Sequence, residues 1–292
     1  MTARPNQPAT RRPNIRPNRP IAAMPTLTRP DLVHGLRQLL QGLPQLDAAW
    51  EGGSAAFGTE DQFSDVDAVA VVADDALATT WAAIEAGLNA LSPVTLRHDV
   101  PDTRGYAQRF FRLRDAGEFT VVDLVLIRRS DPLLFRELEL HGRGRTWFDR
   151  TGVLVEVHLD AVQDLAAARA RVPALAAAFE MFQHIVTKER LRGRAVEALM
   201  FYQAFTWRPL VEALRLLHCP PRRVFGPRYL ARDLPPQVCA RIEALVFVRD
   251  LDHLAQQHET ARRWFALCIA RLQSHGPGAG IDAVADDGPG AA

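Results

Sequence analysis

Cysteine is scarce in this chain of 292 residues, and long apolar runs are missing from it. The three cysteines, Cys219, Cys239 and Cys268, are too few and too scattered for a disulfide framework or a zinc site. No run of 18 or more apolar residues exists, and prolines stand where a signal peptide would carry its apolar core. We therefore expect a soluble protein of the cytoplasm that has no contact with a membrane.

Three common active-site motifs are also absent. The glycine-rich stretch near residue 52 has neither the Gly-Lys-Ser/Thr ending of a P-loop nor the G-x-G-x-x-G spacing of a dinucleotide site, and no His-Glu-x-x-His sequence occurs. These absences argue against a hydride-transferring enzyme and a zinc protease. Phosphoryl chemistry that depends on carboxylates and a metal ion stays open.

The total charge is close to neutral but unevenly distributed. Lysine and arginine number 35 against 34 acidic residues, a net charge of +1. Residues 1–30 hold six arginines, seven prolines and no acid, so the remainder carries 29 basic against 34 acidic residues, a balance of −5. Nothing in this balance indicates a specific nucleic-acid partner.

Composition and periodicity divide the chain into four parts. Residues 1–29 are rich in proline and arginine and are predicted to be a disordered tail. Residues 30–157 mix helical and strand patterns, which predicts an α/β (α+β) domain with a small mixed sheet. Residues 158–273 show only helical periodicity and predict an all-α helical bundle. Residues 274–292 are glycine-rich and are predicted to be a second disordered tail.

Several smaller elements are predicted within these parts. We expect short helices at residues 55–62 and 131–140 and an edge strand at residues 153–157. Residues 166–217 are predicted to be one long helical stretch that breaks at Gly193 or just before Pro209.

The most informative part of the chain is a Gly-Gly-Ser turn that leads, through a polar loop, into an apolar strand beginning at Asp65. Asp65 and Asp67 are two positions apart in that strand, so both side chains point to the same face. Two carboxylates so close repel each other unless a cation neutralises them, and oxygen ligands suit Mg²⁺ better than zinc. The glycines of the turn let backbone N–H groups approach a phosphate, and Ser54 adds a hydroxyl donor.

A second candidate site lies on a later strand. Asp123 is the only charged residue in the run VVDLVLI, where an isolated carboxylate would be costly. It needs a partner. A structural explanation is an ion pair with Arg128 or Arg129, and the functional one is that Asp123 joins Asp65 and Asp67 as a third carboxylate.

The combination of these features resembles a known family. Gly53 and Ser54, a spacer of ten residues, Asp65 and Asp67 in a strand, and a later acidic residue resemble the nucleotidyltransferase superfamily with the DNA polymerase beta fold. The resemblance is in particular to the antibiotic branch of that superfamily, which modifies aminoglycosides and lincosamides. The resemblance covers the first half of the folded chain by motif and the second half by general architecture.

The resemblance implies a role for each of these residues. Gly53 and Ser54 would hold the β- and γ-phosphates of a nucleoside triphosphate, and Asp65 and Asp67 would bind Mg²⁺. Asp123 would complete the metal site or act as the catalytic base. The resemblance also implies that the helical domain, residues 158–273, binds the substrate. In this family a basic side chain of that domain reaches the triphosphate, and Lys188 is the residue that we assign to that contact.

The activity implied is transfer of a nucleoside monophosphate, AMP from ATP, to a hydroxyl group of a small-molecule acceptor with release of pyrophosphate. The mildly acidic folded part suits a cationic acceptor such as an aminoglycoside. The alternatives are a protein or RNA acceptor and a catalytically inactive nucleotide-binding module.

Overall fold

The computed structural model describes residues 27–101, 106–131 and 135–281. The chain divides into two compact units, one bounded by Met1–Leu134 and Arg143–Val155 and the other by Phe135–Gly142 and Glu156–Ala292. The first unit contains a mixed sheet with two helices, and the second is helical in its described part. The predicted fold class, an α/β part followed by a large helical part, is confirmed.

The sheet of the first unit has six strands in its described part. They are β1 (Leu46–Glu51), β2 (Val66–Val72), β3 (Val94–Val100), β4 (Tyr106–Leu113), β5 (Val122–Arg128) and β6 (Arg145–Asp149). Their spatial order is β3-β4-β5-β2-β1-β6, in which β2 and β5 are parallel and every other neighbouring pair is antiparallel. The central pair β2 and β5 is buried except at Asp67, Asp123 and Arg128, as expected for parallel strands that are covered on both faces.

Two helices pack on this sheet, α1 (Arg29–Gln41) and α2 (Leu77–Leu91). Helix α1 begins with a capping box, in which the Thr28 hydroxyl accepts a hydrogen bond from the Asp31 backbone N–H and the Asp31 carboxylate accepts one from Thr28. The apolar stripes of both helices are fully buried against the sheet. The members of these stripes are Leu32, Leu36, Leu40, Trp81, Ile84 and Leu88.

Three local predictions differ from the structure. Residues 53–57 form a 3₁₀ turn in place of the helix expected at 55–62. The strand at that edge of the sheet is β6, and residues 153–157 contribute only a bridge between Val157 and Glu137. They leave the sheet because four backbone N–H groups after β6 donate to the Asp149 carboxylate and turn the chain away. The helix expected at 131–140 is reduced to α3 (Leu138–His141), and residues 132–134 lie outside the described residues.

The second unit is built from helices of very different lengths. In its described part, α3 is followed by α4 (Ala161–Leu191), α5 (Ala195–Tyr202), α6 (Arg208–His218), α7 (Leu230–Asp233), α8 (Pro236–Val246) and α9 (Leu251–His275). The predicted break at Gly193 is confirmed, since it separates α4 from α5. Pro209 is accommodated in the first turn of α6, and the preceding residues, Gln203–Trp207, form a turn of π-helix.

The predicted tails are only partly described. Residues 1–26 and 282–292 lie outside the described residues. The segment after α9, expected to be disordered from residue 274, contacts α6 as far as residue 281, because the N–H groups of Gly278 and Gly280 donate to the carbonyls of Leu216 and Leu217. Among the described helices, none is both long enough and apolar enough to cross a membrane.

Candidate active site

Two of the predicted aspartates lie side by side on the central strands of the sheet. Asp67 of β2 and Asp123 of β5 are direct partners in the parallel register. Partner residues on neighbouring strands point to the same face, and the strands are about 4.8 Å apart. The two carboxylates therefore share one face at the start of β2 and β5.

Asp65 lies immediately before β2 and links the beginnings of the same two strands. Its Oδ1 accepts a hydrogen bond from the Val121 backbone N–H at 3.0 Å, and the Val66 N–H donates to the Val121 carbonyl at 2.9 Å. The three aspartates predicted from sequence are thus close enough to interact electrostatically, because the charge of Asp65 raises the pKa of both Asp67 and Asp123.

Burial and mutual repulsion perturb two of these carboxyl groups. Burial is the main cause that raises the pKa of Asp67 from 3.8 to about 6, with the charges of Asp65 and Glu51 adding to it and that of Arg29 opposing it. Burial likewise raises the pKa of Asp123 to about 6, and the charges of Asp67 and Asp65 add to the rise. A carboxyl group with such a pKa can accept a proton near neutral pH more readily than an ordinary aspartate.

The hydrogen-bond partner of Asp123 is Gln108 of β4. Its Nε2 donates to Asp123 Oδ1 at 2.7 Å, and this bond lowers the pKa of Asp123 against the effect of burial. Arg129, one of the two arginines considered as a structural partner for Asp123, instead pairs with Asp47 of β1, with Nη2 2.7 Å from Asp47 Oδ1. Sequence reasoning missed Gln108 because no local pattern connects it with β5.

The Gly-Gly-Ser turn packs directly against Asp67. Gly53 has a φ of +53°, and a Cβ atom added to it would lie 1.8 Å from Asp67 Oδ2. The N–H of Gly52 donates to the Asp67 carbonyl at 2.8 Å. Only glycine fits at position 53, because the backbone there is left-handed and the space for a side chain is occupied by the Asp67 carboxylate.

Ser54 follows in the 3₁₀ turn with an unusual environment. Its Oγ is buried and has no hydrogen-bond partner among the residues that the structure describes. A buried hydroxyl without a partner is costly, so a polar group that reaches it would find an available donor. This atom is the second observation, after the close approach at Gly53, that indicates a ligand site beside Asp67.

Two charged residues that sequence reasoning missed lie next to these groups. Glu51, the last residue of β1, has no exposed surface, and its Oε1 is 2.6 Å from Arg29 Nη2. Arg29 also donates to the carbonyls of Ser64 and Asp65. The sequence contained a signal for Glu51, since it is a lone acid that ends an apolar strand directly before the glycine turn. Arg29 had no such signal, because it lies within residues 1–29, which were predicted to be a tail.

The donor set suits a hard divalent cation, although the side chains are not in ligand positions. Within the described residues, no group of three or more His, Cys, Asp or Glu side chains is arranged to hold a metal ion. The carboxylates of Asp65 and Asp123 are instead directed at the Val121 N–H and the Gln108 amide. All the donors are oxygens, the ligand type that Mg²⁺ prefers, so the chemistry of the site fits Mg²⁺.

Lys188 belongs to the second unit, near the end of α4. Its Nζ is 4.0 Å from Glu189 Oε1, and about half of its side chain is exposed. It lines a cavity of about 700 Å³ on that unit together with Gln183, His184, Arg192 and Arg262. Its assignment to a triphosphate stays a prediction.

Comparison with known proteins finds likeness among solved structures. No protein-family model matches the chain, and no curated protein sequence matches it. Among solved structures, the chain is similar to an aminoglycoside 6-adenyltransferase from Bacillus subtilis, with 11% identity and a TM-score of 0.36 over 82% of this chain and 88% of that one. At that identity and TM-score the likeness does not bear on the chemistry.

Proposed function

We propose that this protein is a Mg²⁺-dependent nucleotidyltransferase. It transfers a nucleoside monophosphate, AMP from ATP, to a hydroxyl group of a small-molecule acceptor and releases pyrophosphate. The observation that carries the proposal is the parallel pairing of Asp67 with Asp123 directly against the Gly53 backbone. Paired carboxylates beside a glycine-serine turn combine the two halves of a metal-nucleotide site.

Asp65, Asp67 and Asp123 are the residues that would hold the metal. A bound Mg²⁺ would supply charge neutralisation for the attacking and leaving oxygens of an in-line displacement. Asp65 Oδ1 accepts the Val121 N–H, so Oδ2 is the oxygen that Asp65 would offer to the ion.

Asp123 has a second possible role as the base that accepts the proton of the acceptor hydroxyl. A pKa raised to about 6 suits that role, because such a group is ionised at neutral pH and still holds a proton well. Gln108 would keep the carboxylate in one orientation while it acts, because its amide donates to Oδ1. Metal ligand and base stay alternative roles for Asp123.

Gly53 and Ser54 would bind the β- and γ-phosphates. The absence of a side chain at Gly53 lets a phosphate oxygen approach the backbone, and the buried Ser54 hydroxyl would donate to it. Lys188 would neutralise charge on the pyrophosphate leaving group. For the acceptor, the balance of −5 outside residues 1–30 favours a cationic molecule of the aminoglycoside type.

The test is pyrophosphate release from ATP with Mg²⁺ and a panel of acceptors that includes aminoglycosides, lincosamides, RNA and protein. We expect release with a small-molecule acceptor, and loss of it in Asp67→Ala. The control is Asp75→Ala, which removes an exposed aspartate three residues after β2 and should leave release unchanged. Release that survives Asp67→Ala would overturn the metal assignment, and stable ATP binding without turnover on any acceptor would favour the inactive module.

A further inference from the structure

Arg29 begins helix α1, yet its guanidinium group contacts the residues that lead into β2. Nε lies 3.2 Å from the Ser64 carbonyl and 3.3 Å from the Asp65 carbonyl, and Nη2 donates to the Asp65 carbonyl at 3.0 Å. The same Nη2 is 2.6 Å from Glu51 Oε1. Only 13% of the Arg29 side chain is exposed.

The partner Glu51 lies at the other end of the same loop. It is the last residue of β1, it precedes the Gly-Gly-Ser turn, and it is fully buried. Arg29 therefore joins the point where the loop leaves β1 to the point where it enters β2. Glu51 Oε2 lies in addition 3.7 Å from Arg145 Nη1 of β6.

The contacts that Arg29 makes are more specific than is needed to neutralise the charge of Glu51. A guanidinium group presents its N–H donors in a fixed planar fork, so contacts with two carbonyls and a carboxylate fix their relative positions. One of these carbonyls belongs to Asp65, whose own side chain is hydrogen-bonded to Val121 before β5. The chain of contacts thus runs from Glu51 through Arg29 to the aspartate group.

We propose that Arg29 and Glu51 are a positioning pair that sets the location of Asp65 and of the glycine-serine turn relative to β2 and β5. The catalytic part of this inference rests on the proposed nucleotidyltransferase function, and the structural part does not. Neither residue is assigned a contact with substrate, so their effect is exerted through Asp65 and the turn.

The first test measures position without turnover. The Val121 amide proton is bound by the Asp65 carboxylate, so its hydrogen exchange measured by NMR reports where that side chain lies. In Arg29→Gln we expect this exchange to accelerate by about tenfold or more relative to amides in the middle of β5. The control is Arg129→Gln, which removes another arginine paired with a buried carboxylate of β1, Asp47, and should leave Val121 exchange unchanged.

The second test measures turnover in the same variants. We expect kcat for pyrophosphate release to fall by about tenfold or more in Arg29→Gln, since misplacement of catalytic groups by about 1 Å is enough for such losses. Arg129→Gln should keep the wild-type kcat even if its melting temperature falls by as much as that of Arg29→Gln. Arg29→Lys retains the charge without the fork, so both of its readouts should stay within about threefold of Arg29→Gln.

Each outcome decides between the possibilities. Val121 exchange that is unchanged in Arg29→Gln, or equally changed in Arg129→Gln, overturns the positioning role, and so does wild-type kcat in Arg29→Gln. Full recovery in Arg29→Lys overturns the role of the fork. Accelerated exchange in a protein whose wild type shows no turnover supports the positioning pair and overturns the proposed function. Glu51→Gln, which preserves side-chain shape, replaces Arg29→Gln in both tests should the latter fail to fold.

Discussion

Substitution of Gly53 by alanine tests the contact on which the candidate site depends most directly. The new Cβ would lie 1.8 Å from Oδ2 and 2.4 Å from Cγ of Asp67, far inside the 3.5–4.0 Å of a favourable contact. Either the carboxylate or the turn therefore has to move by roughly 2 Å. In both cases the Asp67 carboxylate no longer packs against the backbone of the glycine-serine turn.

Gly58 provides a matched control for this change. It has a similar left-handed backbone, with a φ of +65° against +53° at Gly53, and apart from its chain neighbours no atom of the described residues lies within 4 Å of its added Cβ. Gly58→Ala should cost about 1–2 kcal/mol in the free energy of unfolding, from backbone conformation alone. Gly53→Ala should cost about 1–3 kcal/mol more, the usual penalty of overpacking.

Two assays separate the backbone effect from the contact. In thermal unfolding, each kcal/mol corresponds to a fall of about 2–4 °C in melting temperature for a unit of this size. In pyrophosphate release, Gly53→Ala should lose about 100-fold in kcat and Gly58→Ala should retain wild-type turnover. Equal melting temperatures and equal turnover for the two variants would refute the close approach of Asp67 to Gly53.

Three further predictions follow from the side chains around this contact. Without metal, the free energy of unfolding should fall as pH rises from about 4 to about 6, because folded Asp67 and Asp123, with pKa values raised to about 6, keep protons that the unfolded chain has lost. Asp67→Asn removes one of these two groups and should reduce the fall measured by urea unfolding. Gln108→Leu removes a donor that lowers the pKa of Asp123, so the acid limb of the pH profile of pyrophosphate release should move to higher pH, and an unmoved limb would exclude Asp123 as the titrating group. Ser54→Ala should change the free energy of unfolding by less than about 1 kcal/mol, since its hydroxyl has no partner among the described residues, yet raise the KM for ATP about tenfold; an unchanged KM would contradict phosphate binding by Ser54.

The features that sequence reasoning found are those with a local signature. Asp65 and Asp67 are two positions apart at the start of an apolar run, and Asp123 is a lone charge in another, so each stands out without knowledge of the fold. The apolar residues of α1 and α2 repeat every three or four positions, which is a local pattern of the kind that predicted helices within residues 30–157.

The features that it missed depend on contacts between distant residues. The register that pairs Asp67 with Asp123 joins strands 56 positions apart, and the bond from Gln108 crosses from a third strand. Arg29 lies in a segment whose composition resembles a disordered tail, and only the contacts with Glu51 and Asp65 show its role. The true edge strand β6 was missed because its end is determined by the Asp149 turn.

The cost of the aspartate group is itself an argument for a cationic ligand. Two carboxylates at the spacing of adjacent strands, about 5 Å, repel by about 3–4 kcal/mol at an effective dielectric constant near 20. This is a large fraction of the 5–15 kcal/mol that stabilises a typical domain. Arg29 relieves part of it for Asp67, but its guanidinium is also paired with Glu51, whose charge acts on Asp67 in the opposite direction. Apolar residues at positions 67 and 123 would give a more stable sheet, so this cost supports the cation-binding role that we propose for the two acids.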